Sequence, residues 1–194
     1  MNAFKLKKIE KFYFGHDDLS RALGISKASA KVTASRYTGQ GILLRIKKDL
    51  YVLKEAWITA DRENKFRIVN LGQVPSYISL MTALDYYEIT TQVQTDYFES
   101  IALKRSKVIN MNGSVFRYTR IAEDLYSGFK KEKDFFIATP EKALLDIFYL
   151  MSYGRYNFDL PSLDGTKVDI NEIERMSLIY PEKTRKLLKR NGYL

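Results

Sequence analysis

Asp18-Leu19-Ser20-Arg21-Ala22-Leu23-Gly24-Ile25-Ser26-Lys27-Ala28-Ser29-Ala30-Lys31-Val32-Thr33-Ala34-Ser35-Arg36-Tyr37 is the stretch on which the fold turns. The apolar positions Leu19, Ala22 and Leu23 predict a short helix, preceded by Gly15-His16-Asp17 as a break and an acidic N-cap. Gly24 closes that helix as a residue free to take positive φ. Ile25 is an apolar plug, and Ser26 caps a second helix that begins at Lys27 and ends near Gln40. Two short helices joined by a tight Gly-containing turn make a helix-turn-helix.

On a helical wheel Ala30, Ala34 and Tyr37 fall together and face the preceding helices. The opposite face carries Ala28, Val32, Ser35 and Arg36, with Ser29 and Lys31 at its margins. Small and hydroxylated residues let a helix approach base edges, while Arg36 or Lys31 can reach phosphates or guanine. Val32 has no structural reason to be exposed there, but it can touch a thymine methyl. If the wheel is rotated, Val32 is core instead.

Downstream, Gly41-Ile42 turns the chain into Leu43-Leu44-Arg45-Ile46. Lys47-Lys48-Asp49 then forms a tip, and Leu50-Tyr51-Val52-Leu53 returns as the second strand of a hairpin. A helix-turn-helix followed by a basic hairpin is the layout of a winged helix, with Arg45, Lys47 and Lys48 against a nucleic-acid backbone. The expected DNA-contacting residues are therefore Ser26, Lys27, Ala28, Ser29, Lys31, Val32, Ser35, Arg36, Arg45, Lys47 and Lys48. The alternative is a winged helix used for protein contacts. Upstream, residues 3–13 pattern as a helix with Leu6, Ile9 and Phe12/Tyr13 on one face.

The charge agrees with this placement. The 194 residues carry 32 Lys+Arg and 23 Asp+Glu, a formal +9. Residues 1–54 hold twelve of the bases and only Glu10, Asp17, Asp18 and Asp49 as acids, a net +8, so the remainder is nearly neutral. A basic module beside a neutral body points to a polyanionic partner for the first and a different task for the second. Absence of cysteine excludes disulfides, thiolate metal sites and cysteine nucleophiles, and a single histidine excludes multi-His metal sites. The apolar runs Ala143–Leu145 and Ile147–Met151 are broken by Asp146 and are too short to span a membrane. The expectation is a soluble, cytoplasmic protein without a membrane partner, and without metal or cofactor.

The body reads as mixed α+β. A helical connector covers residues 55–76, with Trp57, Phe66, Ile68 and Val69 among charges and a break at Pro75-Ser76-Tyr77-Ile78. Residues 77–194 then form an α+β domain. Ser79 is expected to cap a helix through Leu80, Ala83, Leu84 and Tyr87. Tyr97–Leu103 and Val108–Met111 are strand-like, and Asn112-Gly113 is a favoured hairpin turn into Ser114–Ile121. Phe135–Ala138 is a short buried strand. Thr139 caps a helix with Pro140 at its first position and Glu141 at its positive end. Asp169 or Asn171 opens another helix, and Pro181 precedes a basic terminal one.

Three segments, in this order, resemble AbiEi-type antitoxins of type IV toxin–antitoxin (abortive infection) systems. They are Arg45-Ile46-Lys47-Lys48-Asp49-Leu50-Tyr51, Tyr77-Ile78-Ser79-Leu80-x-x-Ala83-Leu84 and Ala138-Thr139-Pro140-Glu141-Lys142-Ala143-Leu144-Leu145-Asp146. The resemblance spans roughly residues 12–152, and the last segment is its most diagnostic part. Asp49 departs from it, since such wings often carry glycine there. What the resemblance implies is a transcriptional repressor that binds double-stranded DNA at its own promoter. Its C-terminal domain would counter a nucleotidyltransferase-like toxin, not necessarily by contact. The alternative is a generic regulator or interaction module without a toxin.

Enzymatic readings find little. Asp61-Arg62-Glu63-Asn64-Lys65 imitates a nuclease Glu-x-Lys but falls on the connector as a solvated face. Gly113-Ser114 lacks the paired aspartates of nucleotidyl transfer. His16 reads as a solvent-exposed loop residue. Asp146, on an apolar helix, reads as a buried, hydrogen-bonded structural acid. No catalytic residue is expected.

Overall fold

In a computed structural model that describes residues 2–194, the chain is mixed α+β and divides into two compact units. One unit comprises Met1–Ile68 with Ile109–Gly113, the other Val69–Val108 with Ser114–Leu194.

The first unit begins with a 3-10 turn, Asn2–Lys8, followed by β1 (Tyr13–Phe14), α1 (His16–Leu23) and α2 (Lys27–Gly39). The hairpin β2 (Leu43–Lys47) and β3 (Leu50–Leu53) follows, then α3 (Lys54–Ile58). The expected helix over 3–13 is thus replaced by a 3-10 turn and a strand. The exposed edge of β3 captures Tyr13 and Phe14 as an antiparallel partner, giving a sheet ordered β1-β3-β2. Of the face expected for that helix, Leu6 is buried while Ile9, Phe12 and Tyr13 are only partly so, and it is Phe14, beyond the expected helix, that enters the core. The core joins Leu6, Phe14, Leu19, Leu23, Ala30, Ala34, Tyr37, Leu43 and Tyr51. Gly24 at φ 69 ends α1, and its N–H donates to the Ser20 carbonyl as expected of a left-handed helix stop.

The connector is two helices, α3 and α4 (Arg62–Gly72), not one. Asp61 accounts for the interruption, because its carboxylate accepts from the Asn64 N–H at 2.7 Å and caps the start of α4.

A six-stranded mixed sheet belongs to the second unit except for residues 109–111 at the end of one strand. Its strands are β4 (Ser76–Ile78), β5 (Tyr97–Ala102), β6 (Lys107–Met111), β7 (Ser114–Arg120), β8 (Phe129–Glu132) and β9 (Phe135–Ala138). They are ordered β6-β7-β5-β4-β9-β8. β5 runs parallel to β7, and β4 parallel to β9; β4–β5 and β8–β9 are antiparallel. The expected break at residues 75–78 is therefore a central strand. All three β4 residues are buried, so they lack the alternation that marks a half-buried strand. β8 escaped for the opposite reason: its Lys130 and Lys131 belong to an edge, where charges blunt pairing with other chains.

Helices α5 (Leu80–Tyr86), α6 (Pro140–Ser152), α7 (Ile170–Ser177) and α8 (Glu182–Arg190) complete the unit. Thr139 accepts from the Lys142 N–H at 3.2 Å and Pro140 occupies the first turn of α6, as expected. Asp169 caps α7 through the Asn171 and Glu172 N–H groups. α6 is buried nearly all round, with Ala143, Leu144, Leu145, Ile147, Phe148 and Leu150 in the core. Among the described residues no helix is long and apolar enough to cross a membrane.

Candidate nucleic-acid interface

The outward face of α2 follows from its caps and its packing. Ser26 Oγ accepts from the Ser29 N–H at 3.1 Å, starting the helix at Lys27. Ala30, Ala34 and Tyr37 enter the core, which turns Ala28, Lys31, Val32, Ser35 and Arg36 outward. Val32 is 70% exposed, so the wheel is not rotated. All eleven residues expected to contact DNA are exposed, including Arg45, Lys47 and Lys48 on the β2–β3 hairpin.

Several of them already have intramolecular partners. Lys27 pairs with Asp17 at 2.8 Å, and the hydrogen bond it donates to that carboxylate raises the Lys27 pKa. Ser26 Oγ donates to Ser29 Oγ at 2.9 Å. The Arg36 guanidinium lies 5.5 Å from the Tyr37 ring centroid, and Arg45 Nε leans on the Lys47 carbonyl at 3.4 Å. Lys31, Val32, Ser35, Lys47 and Lys48 form the part of this surface most open to a ligand.

The hairpin tip is held by residues that sequence reasoning misplaced. His16 is not an exposed loop residue: it opens α1 and is only 9% exposed. Its backbone N–H donates to Asp49 Oδ1 at 2.6 Å, and its Nδ1 lies 2.8 Å from the same oxygen. On the other side of the ring, Nε2 is 3.1 Å from the Tyr51 hydroxyl. Asp49 takes φ 57, a left-handed conformation, and its carboxylate ties the hairpin tip to the start of α1. Gly15 permits the approach, because a Cβ there would lie 2.9 Å from Asp49 Oδ1. After Asp17, Asp49 also contributes to raising the Lys27 pKa. Nothing in local spacing links residues 15–16 to residue 49.

In the second unit, Lys142 and Asp146 are fully buried one helical turn apart on α6, with Nζ 2.7 Å from Oδ1. The ammonium also donates to the Leu125 carbonyl at 2.7 Å and the Tyr180 hydroxyl at 2.6 Å, so all three of its protons are used. Asp146 Oδ2 accepts from Tyr77 at 3.0 Å and Ser79 at 2.8 Å. Ser79, expected as a side-chain cap for α5, instead spends its hydroxyl on Asp146. Burial, and then the Asp146 charge, push the Tyr77 phenol well above its ordinary pKa and keep it a donor. Asp146 is thus the buried, hydrogen-bonded acid that its apolar flanks suggested. Lys142 was the missed half, and its position four residues before Asp146 was the available signal.

No family model matches this chain, and no curated protein matches it.

Proposed function

We propose that the chain is a DNA-binding transcriptional repressor whose residues 1–54 form a winged helix-turn-helix. In this reading α2 enters the major groove and the β2–β3 hairpin lies along the backbone. Residues 55–76 connect it to an antitoxin-like α+β domain over 77–194. The observation that carries the reading is Val32: an apolar side chain, 70% exposed, in the middle of a face otherwise small, hydroxylated and basic. Water gains nothing from it, whereas a thymine methyl does. The reading assigns no catalytic residue, metal or cofactor, and a cytoplasmic location.

Gel shifts of the full chain against its own upstream DNA test this. One upstream fragment should outcompete random DNA of equal length, with affinity falling as salt rises. Equal competition by random DNA would end the repressor reading.

The antitoxin role in a type IV system rests on the resemblance of the Arg45–Tyr51, Tyr77–Leu84 and Ala138–Asp146 segments. Burial of Lys142 and Asp146 explains why two charged residues belong in the most diagnostic of these. They support a shared core, leaving the means of neutralisation to other surfaces. A nucleotidyltransferase-like gene beside this one, whose product stops growth unless this chain is co-expressed, is the expected result.

A further inference from the structure

The second unit carries a concentration of positive charge that DNA recognition by α2 and the hairpin does not use. β5 and β7 are parallel neighbours, with Ala102 opposite Arg120, so their C-terminal ends lie side by side. There an open cavity of about 570 Å³ is bounded by Lys104, Arg105, Arg120 and Arg155, with Ile121 and Tyr149 supplying apolar wall. Its lining contains no carboxylate. Among the described residues no ion pair neutralises any of the four cations.

A flexible, solvated charge patch would need no support, but this one is tied down through its backbone. The Arg120 N–H donates to Ser106 Oγ at 3.0 Å. The Gln73 side-chain amide donates to the Arg105 carbonyl at 2.6 Å, and the Arg155 guanidinium to the Arg120 carbonyl at 3.1 Å. These bonds fix the β5–β6 loop and the end of β7. They leave the side-chain donors of Lys104, Arg105 and Arg120 directed at solvent or at a ligand. Four like charges held together repel one another, and an anion relieves that cost.

We propose that this cavity binds a nucleoside polyphosphate. Guanidinium forks match phosphate oxygens two at a time, and four cations suit the charge of a di- or triphosphate. Tyr149 and Ile121 offer a nucleoside an aromatic edge and an apolar surface. The volume falls within the range of roughly 300–1,000 Å³ usual for small-ligand sites.

The test is calorimetric titration of the full chain with ATP and GTP at low salt, with tripolyphosphate and adenosine titrated separately. One nucleotide should bind, and more tightly than tripolyphosphate. Arg105→Ala and Arg120→Ala should each weaken it about tenfold, the usual effect of losing one charge-assisted hydrogen bond. Lys104→Ala, a side chain without intramolecular bonds, should weaken it without moving the melting temperature. Lys47→Ala/Lys48→Ala should leave nucleotide binding unchanged while reducing DNA binding, so the two sites fail separately. No nucleotide binding, tripolyphosphate binding as tightly as either nucleotide, or an equal loss in the hairpin variant would overturn the proposal.

Discussion

Asp49 sets two opposed terms against each other. Its φ of 57 is a left-handed conformation that costs a residue with a Cβ roughly 1–2 kcal/mol and costs glycine almost nothing. Its carboxylate bonds to the His16 N–H and ring; a charged hydrogen bond contributes roughly 1.5–3 kcal/mol when shielded, less at a half-exposed group. Asp49→Gly relieves the first and forfeits the second, so urea denaturation should find it milder than Asp49→Ala, which forfeits the bond and keeps the strain. Equal effects would mean that the backbone conformation contributes nothing. A hairpin-tip role for Asp49 was legible from the lysines before it. Its partner was not, because His16 is 33 residues away and only folding brings them together.

Glu99 couples stability to pH. It is buried, and desolvation raises its pKa above the ordinary 4.5, although Tyr156 donates to it at 2.7 Å. A raised carboxyl pKa means that the folded state binds the proton more tightly than the unfolded chain does. Its stabilising contribution is therefore full below the unfolded pKa and is lost as pH rises through the folded one. Glu99→Gln keeps a hydrogen-bond acceptor and removes the titration. Denaturation at pH 5 and pH 7 should show the variant gaining stability relative to the parent at the higher pH; a constant difference would refute the assignment.

At the scale of elements, α2 and α6 present contrasting logic. α2 buries a narrow stripe of small residues and Tyr37, leaving most of its surface free for a ligand. Substitution of Val32 by Ala or Arg36 by Gln should reduce discrimination between specific and random DNA, since base-edge contacts carry about 1–3 kcal/mol each. Competition gel shifts measure that ratio directly; an unchanged ratio would place readout elsewhere. α6 is buried on nearly every side and encloses an ion pair whose hydrogen-bond partners are complete. Asp146→Leu should cost about 3–5 kcal/mol by stranding the Lys142 ammonium, and Lys142→Met/Asp146→Leu less than the sum of the single changes. Additive losses in chemical denaturation would mean that the two charges are not coupled. The start of α6 was readable because Thr139 and Pro140 act on adjacent backbone. The network was not, because its partners come from three other places in the chain: Tyr77 with Ser79, Leu125, and Tyr180.

Across the whole molecule, charge is divided between the N-terminal quarter and everything else. If Lys47 and Lys48 each neutralise one backbone phosphate, replacing both with Ala should weaken binding to all DNA alike. The slope of log affinity against log salt should flatten by about 1.8. A variant that loses only specific binding would move these lysines from backbone to base contacts. The cavity at the ends of β5 and β7 shows why net charge alone misleads: residues 55–194 are nearly neutral, yet folding gathers four of their cations in one place.

Helix starts at Ser26 and Thr139, the Gly24 stop, the Asn112-Gly113 turn and the exposed face of α2 are all legible in local sequence. Each depends on backbone geometry or periodicity within about one or two helical turns. Tertiary structure decided the strand at Tyr13–Phe14, the burial of β4, the His16–Asp49 tie and the Lys142–Asp146 network. A free strand edge or an unsatisfied buried charge takes whichever partner the completed fold brings within reach, and that partner's distance along the chain leaves no local mark.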